Sequence, residues 1–128
     1  MPHSGLLIVR FGPWSATRCQ ETALEQFADD VAAGRRGRYG ISVFGDVVGE
    51  GESVEDVLKR ICVEAPCRGK KVAAVWAQDL QNAGWVVSPE MPPRLHYLLG
   101  QGDFSQIPDV DSLAVIWMEH KRDNPANG

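Results

Sequence analysis

His96, in the stretch PPRLHYLL, is the side chain of this sequence best suited to moving a proton. If that stretch is a strand, Arg94, His96 and Leu98 share one face while Leu95, Tyr97 and Leu99 share the other. A histidine beside an arginine suits metal-independent phosphodiester cleavage. His96 would move the proton, and Arg94 or Arg38 would hold the charge that develops in the transition state. Ser42 is not expected to act as a nucleophile. GISVFG lacks the G-x-S-x-G elbow, and a strand position leaves its Oγ poorly placed for attack. His120 falls near the end of the last expected helix, where a cation is favourable in any case.

The cations fall in clusters. Arg35, Arg36 and Arg38 precede one strand-like run, and Arg68, Lys70 and Lys71 precede another. If those runs are parallel strands, both clusters emerge on one rim of the sheet and create a local positive potential. Arginines there suit bidentate contact with phosphate or carboxylate, and Tyr39 beside them could stack on a base. The same clusters also follow from helix C-termini, whose dipoles favour cations without any ligand.

Other groupings point to chemistry less strongly. GDVVGEGES has the glycines of a phosphate loop, but Asp46, Glu50 and Glu52 would repel a phosphate and no lysine follows the last glycine. Asp46 and Glu50 could instead hold a hard divalent cation, or the loop is simply an acidic turn. Cys19 and Cys62 lie on apolar helical stripes and read as core thiols. Cys67 lies off the stripe beside Arg68, Lys70 and Lys71, cations that can lower a thiol pKa and make it reactive. No second cysteine pair or paired histidines complete a zinc set, so neither a metal nor a cofactor is expected.

These residues must be positioned by a sheet and its helices. LLIVRF, RYGISVF, KKVAAVW, WVVS and LHYLL read as strands. Between them, Ser15 caps a helix in which Ala16, Cys19, Ala23, Leu24, Phe27 and Val31 form the apolar stripe, with Gly34 as its stop. Ser53 and Asp56 open a second helix, striped by Val54, Val57, Leu58, Ile61 and Cys62 and ended by Pro66. AQDLQNAG is a short third helix closed by Gly84. Residues 112–120 read as a helix capped by Asp109 or Asp111, or alternatively as a strand.

The expected fold is α/β or α+β. It is a single domain over 1–120, a mixed sheet of about five strands with three to four packed helices, followed by a disordered tail over 121–128. The first three strands, joined through helices, are expected to run parallel. The proline-rich PEMPPR is expected to put LHYLL at or near a sheet edge, where it could pair with a second copy in a homo-oligomer.

Composition bounds the function. With 128 residues, 44% hydrophobic and 23% charged, the chain can bury a core without staples, and its four tryptophans call for one. A formal charge of −4 argues against wholesale nucleic-acid coating while permitting a local basic patch. No membrane span or secretory signal is legible, and three cysteines make an odd number for a disulfide scaffold, so a cytoplasmic location is expected. The reading that follows is a small binding or regulatory module. It would engage a macromolecular partner, protein or nucleic acid, through Arg35, Arg36, Arg38, Tyr39, Arg68, Lys70 and Lys71. The alternative is a small toxin-like nuclease using His96 with an arginine.

Overall fold

The computed structural model describes residues 5–65 and 69–126. Its elements in chain order are β1 (Leu6–Arg10), α1 (Ala16–Ala32), β2 (Ile41–Val47), α2 (Val54–Glu64), β3 (Lys71–Trp76), α3 (Ala77–Asn82), β4 (Val86–Pro89), β5 (His96–Gly100), α4 (Val110–Glu119) and β6 (Lys121–Asp123). The strands form one sheet in the order β4-β5-β2-β1-β3-β6, giving an α+β single domain.

Helix boundaries follow local chemistry. Ser15 accepts from the Arg18 N–H at the start of α1. Ser53 and Asp56 cap α2 reciprocally, each side chain accepting from the other's backbone N–H. Pro66, the expected stop of that helix, lies outside the described residues. Asp109 accepts from Ser112 and opens α4, so residues 112–119 are helical and the strand alternative is excluded. On α2 the apolar stripe is buried as its spacing requires. On α1 it holds only in part: Cys19 and Ala23 are fully buried, but Leu24 and Val31 are exposed, and the buried position in the last turn is Asp30. The buried face of the last turn is thus offset from the expected stripe and carries a carboxylate in place of a valine.

The sheet is layered between helices of unequal number. One face carries Ile8, Ile41, Val43, Ala73, Val75 and Leu99 against α1, α3 and α4, where Leu113 and Trp117 are fully buried. The other carries Leu7, Val9 and Val72 against Val57, Leu58, Ile61 and Cys62 of α2. Trp85 also lies in the first core, while Trp14 and Trp76 are half-buried at the margins of the two cores.

Three expectations need correction. The first three strands are not parallel: β2 and β3 flank β1, each antiparallel to it, and every pairing in the sheet is antiparallel. A helix between two strands leads to a parallel pair only if the chain re-enters the sheet at the end where the first strand began. Here residues 33–40, where the Arg38 N–H donates to the Asp30 carboxylate, bring it back at the end where β1 finishes. Val9 of β1 then faces Phe44 and Leu6 faces Val47.

Strand β5 lies next to the sheet edge, near it as expected but not at it. It is held between β2 and β4, so pairing between copies through LHYLL is blocked by the chain's own β4–β5 hairpin. Finally, the segment after residue 120 is ordered as far as it is described. Lys121–Asp123 pairs with β3, and Asn124, 1% exposed, donates from its backbone to Lys70 O and from its side chain to Gly69 O. The free edge of β3 supplies the strand partners. Among the described residues no helix is long and apolar enough to cross a membrane.

Candidate functional site

The basic clusters do reach one end of the sheet, though by a different route from the one expected. Strands β2 and β3 run the same way because both oppose β1, so the segments that enter them meet at the same end, on either side of β1. Arg68 and Cys67 lie outside the described residues. The remaining cations are largely committed within the protein. Asp30, fully buried, accepts from Arg35 at 3.0 Å, from Arg38 Nη2 at 3.0 Å and Nε at 3.0 Å, and from Gln26 at 3.0 Å. Those donors, Arg38 foremost, hold the Asp30 carboxyl down at about 2 against desolvation that would raise it.

Arg38 also grips both oxygens of Glu90, at 2.9 and 2.6 Å. This bidentate pair, with Asp30, raises the guanidinium's pKa and lowers that of Glu90. Lys71 pairs with Asp123 at 2.5 Å, and Tyr39 lays its ring on Phe27 with centroids 4.4 Å apart. Arg36 donates to the carbonyl of Asp103 at 3.0 Å and keeps an exposed side chain. Lys70 is exposed as well.

The acidic loop after β2 is closed in the same manner. Arg60 of α2 bridges Asp46, at 2.9 Å, and Glu52, and it lowers the Glu52 pKa. Of the two carboxylates expected as cation ligands, Asp46 is thus turned onto an arginine, while Glu50 is exposed and outside that bridge. Among the described residues no group of three or more metal-type ligands is found. Cys19 and Cys62 are buried, and burial pushes the Cys19 pKa up, which keeps that thiol in its unreactive form.

The best-formed chemical arrangement joins two residues that are distant in sequence. Phe44 of β2 faces His96 of β5, and Ser42 faces Leu98, so Ser42 and His96 are diagonal neighbours on one sheet face. Ser42 Oγ lies 2.5 Å from His96 Nε2. The other ring nitrogen, Nδ1, lies 2.8 Å from the carbonyl oxygen of Glu90. A carbonyl only accepts, so a neutral His96 carries its single proton on Nδ1 and offers the Nε2 lone pair to the Ser42 hydroxyl. Both side chains are half-buried.

The surroundings hold the pair in register. Arg10, only 7% exposed, donates to the Ser42 carbonyl at 2.7 Å, and burial lowers its pKa. The Phe44 ring tilts onto the imidazole at 5.4 Å and stacks on Phe11 at 5.5 Å.

Ser42 is the residue that sequence reasoning sets aside. The elbow rule reads only the residues that flank the serine, whereas here a histidine reaches it across a strand pair. The period-two alternation of RYGISVF already puts Ser42 on the face opposite Ile41 and Val43; its partner lies 54 residues away. Arg94, by contrast, is not beside His96. Leu95 adopts φ +69° and breaks the alternation, and Arg94 instead pairs with Glu64 of α2 at 2.9 Å. With Arg38 held by Asp30 and Glu90, neither arginine of the phosphodiesterase reading is bonded to His96. Comparison of the chain with family models, with curated proteins and with solved structures finds no match.

Proposed function

We propose that this domain is a small acyl hydrolase in which Ser42 is the nucleophile and His96 the general base. The observation that carries the reading is the ordered chain Ser42 Oγ to His96 Nε2 and His96 Nδ1 to Glu90 O, at 2.5 and 2.8 Å. As Oγ attacks the carbonyl carbon of an ester, its proton passes to Nε2. The imidazolium then returns that proton to the departing alkoxide, leaving acyl-Ser42. In the second half, His96 takes a proton from water, the hydroxide attacks the acyl carbon, and the proton goes back to Ser42 Oγ as the acid leaves. A backbone carbonyl orients the base here, in the position a carboxylate occupies in the familiar triads. General-base assistance alone supplies roughly 10²–10⁴-fold, so turnover of activated neutral esters is the appropriate first assay.

The test is hydrolysis of p-nitrophenyl acetate together with covalent labelling by a fluorophosphonate, followed by peptide mapping. Wild-type protein labels on Ser42, and Ser42→Ala and His96→Ala lose both signals while their circular dichroism is unchanged. Wild-type rates in Ser42→Ala would refute the assignment.

A second reading, a module that engages nucleic acid through the strand-entry rim, is favoured by the exposure of Arg36 and Lys70 at the same end of the sheet. It predicts salt-sensitive retention of RNA or DNA that Arg36→Ala with Lys70→Ala abolishes. Retention unchanged in that double variant removes it.

A further inference from the structure

Arg38 has the look of a ligand-binding arginine, yet it is enclosed. Its guanidinium bonds Asp30 on one side and chelates Glu90 on the other. Glu90 in turn is joined to His96 twice through its backbone: its N–H donates to His96 O at 2.9 Å, and its carbonyl accepts from His96 Nδ1 at 2.8 Å. Glu90 opens the stretch that links β4 to β5, in which residues 91–94 are all exposed. Two ion pairs tether that stretch to the body of the protein, Glu90 with Arg38 at its start and Arg94 with Glu64 near its end. The fixed point behind the first is Asp30, fully buried and pinned by donors from three other residues.

We infer that Arg38 is a positioning residue for His96: the Asp30–Arg38–Glu90 array fixes the Glu90 carbonyl, and that carbonyl selects the imidazole tautomer that leaves Nε2 free to accept the Ser42 proton. The inference rests on the proposed acyl-hydrolase reading for its catalytic consequence, but its structural content can be read without substrate. If the Glu90 carbonyl drifts, the bond that selects Nδ1–H is lost. The other tautomer is then populated, and its Nε2–H cannot take a proton from Ser42. Arg38 bonds to neither the Ser42 hydroxyl nor the imidazole, so its effect must pass through Glu90.

The experiment is ¹⁵N NMR of histidine-labelled full-length protein, with the His96 signals assigned by their loss in His96→Ala, alongside steady-state ester hydrolysis. The Nδ1–H tautomer dominates in the wild type. Arg38→Ala shifts His96 toward a mixture of tautomers and lowers kcat about tenfold, equivalent to about 1.4 kcal/mol, with KM unchanged. Added guanidinium restores both readouts. Glu90→Ala leaves the Asp30–Arg38 pair and the residue 90 backbone carbonyl in place and removes both acceptors of the Arg38 link to the loop, so it reports even if Arg38→Ala fails to fold; it also shifts the tautomer. An unaltered Nδ1–H tautomer in folded Glu90→Ala overturns the inference whatever the hydrolysis rate. A wild type that hydrolyses nothing, yet whose tautomer responds to Glu90→Ala, upholds the positioning role and removes only the hydrolase reading.

Discussion

Replacing Asp30 with asparagine removes the buried charge on which Arg35 and Arg38 converge. Wild-type Asp30 titrates at about 2 in the folded protein against 3.8 in a free chain, the Arg38 hydrogen bonds being the largest cause. A carboxylate with a depressed folded pKa stabilises the fold above its unfolded value, and that contribution fades as pH falls through the folded one. At about 1.4 kcal/mol per pH unit, it amounts to about 2 kcal/mol at pH 5 and has largely vanished by pH 2. An asparagine side chain cannot titrate. The stability gap between wild type and Asp30→Asn should therefore narrow by about 2 kcal/mol between those two pH values. Urea unfolding followed by tryptophan fluorescence, with Trp85 and Trp117 buried in the core, measures it. The other carboxylates depressed by ion pairs, Glu52, Glu90 and Asp123 among them, titrate in both proteins, so most of their contribution cancels in the difference. A gap that stays constant from pH 5 to pH 2 would overturn the role of Asp30 as a charged anchor.

Gly40→Ala should cost about 1–3 kcal/mol in urea unfolding, because the added Cβ would lie 2.4 Å from Cγ of Leu98, which is fully buried and has nowhere to move. Ser53→Ala should cost about 1 kcal/mol and fray the start of α2, seen as faster amide exchange in its first turn, because the Asp56 N–H loses the side chain that accepts from it.

Much of the architecture was legible in local patterns. The capping box and stripe of α2 lie within a dozen residues of each other, and the hydrogen bonds and burial of a helix depend on that range of chain. The same holds for the existence of β1, β2 and β3 and for the cap of α4. The directions of the strands were not legible, since antiparallel pairing of β1 with β2 depends on the end of the sheet at which the chain re-enters after α1, which local patterning does not encode. Strand β6 has only Lys121–Asp123 and no strand-like composition. It exists because β3 offers it an open edge.

The candidate site divides along the same line. A single sheet packed with helices, in an α/β or α+β arrangement, and the choice of His96 as the candidate for moving a proton followed from residue types and their spacing. What His96 meets was decided by the tertiary structure. Its serine is 54 residues away in sequence and the carbonyl that orients it 6 away, joined only when β2, β4 and β5 pair. The arginines before β2 look alike as a string, GRRGR, and differ only by what folding brings to them: a buried carboxylate to Arg35 and Arg38, a carbonyl and open solvent to Arg36. Charge and hydrogen-bonding capacity belong to the residue, but whether they are spent inside the protein or left for a ligand depends on neighbours that only the folded chain supplies.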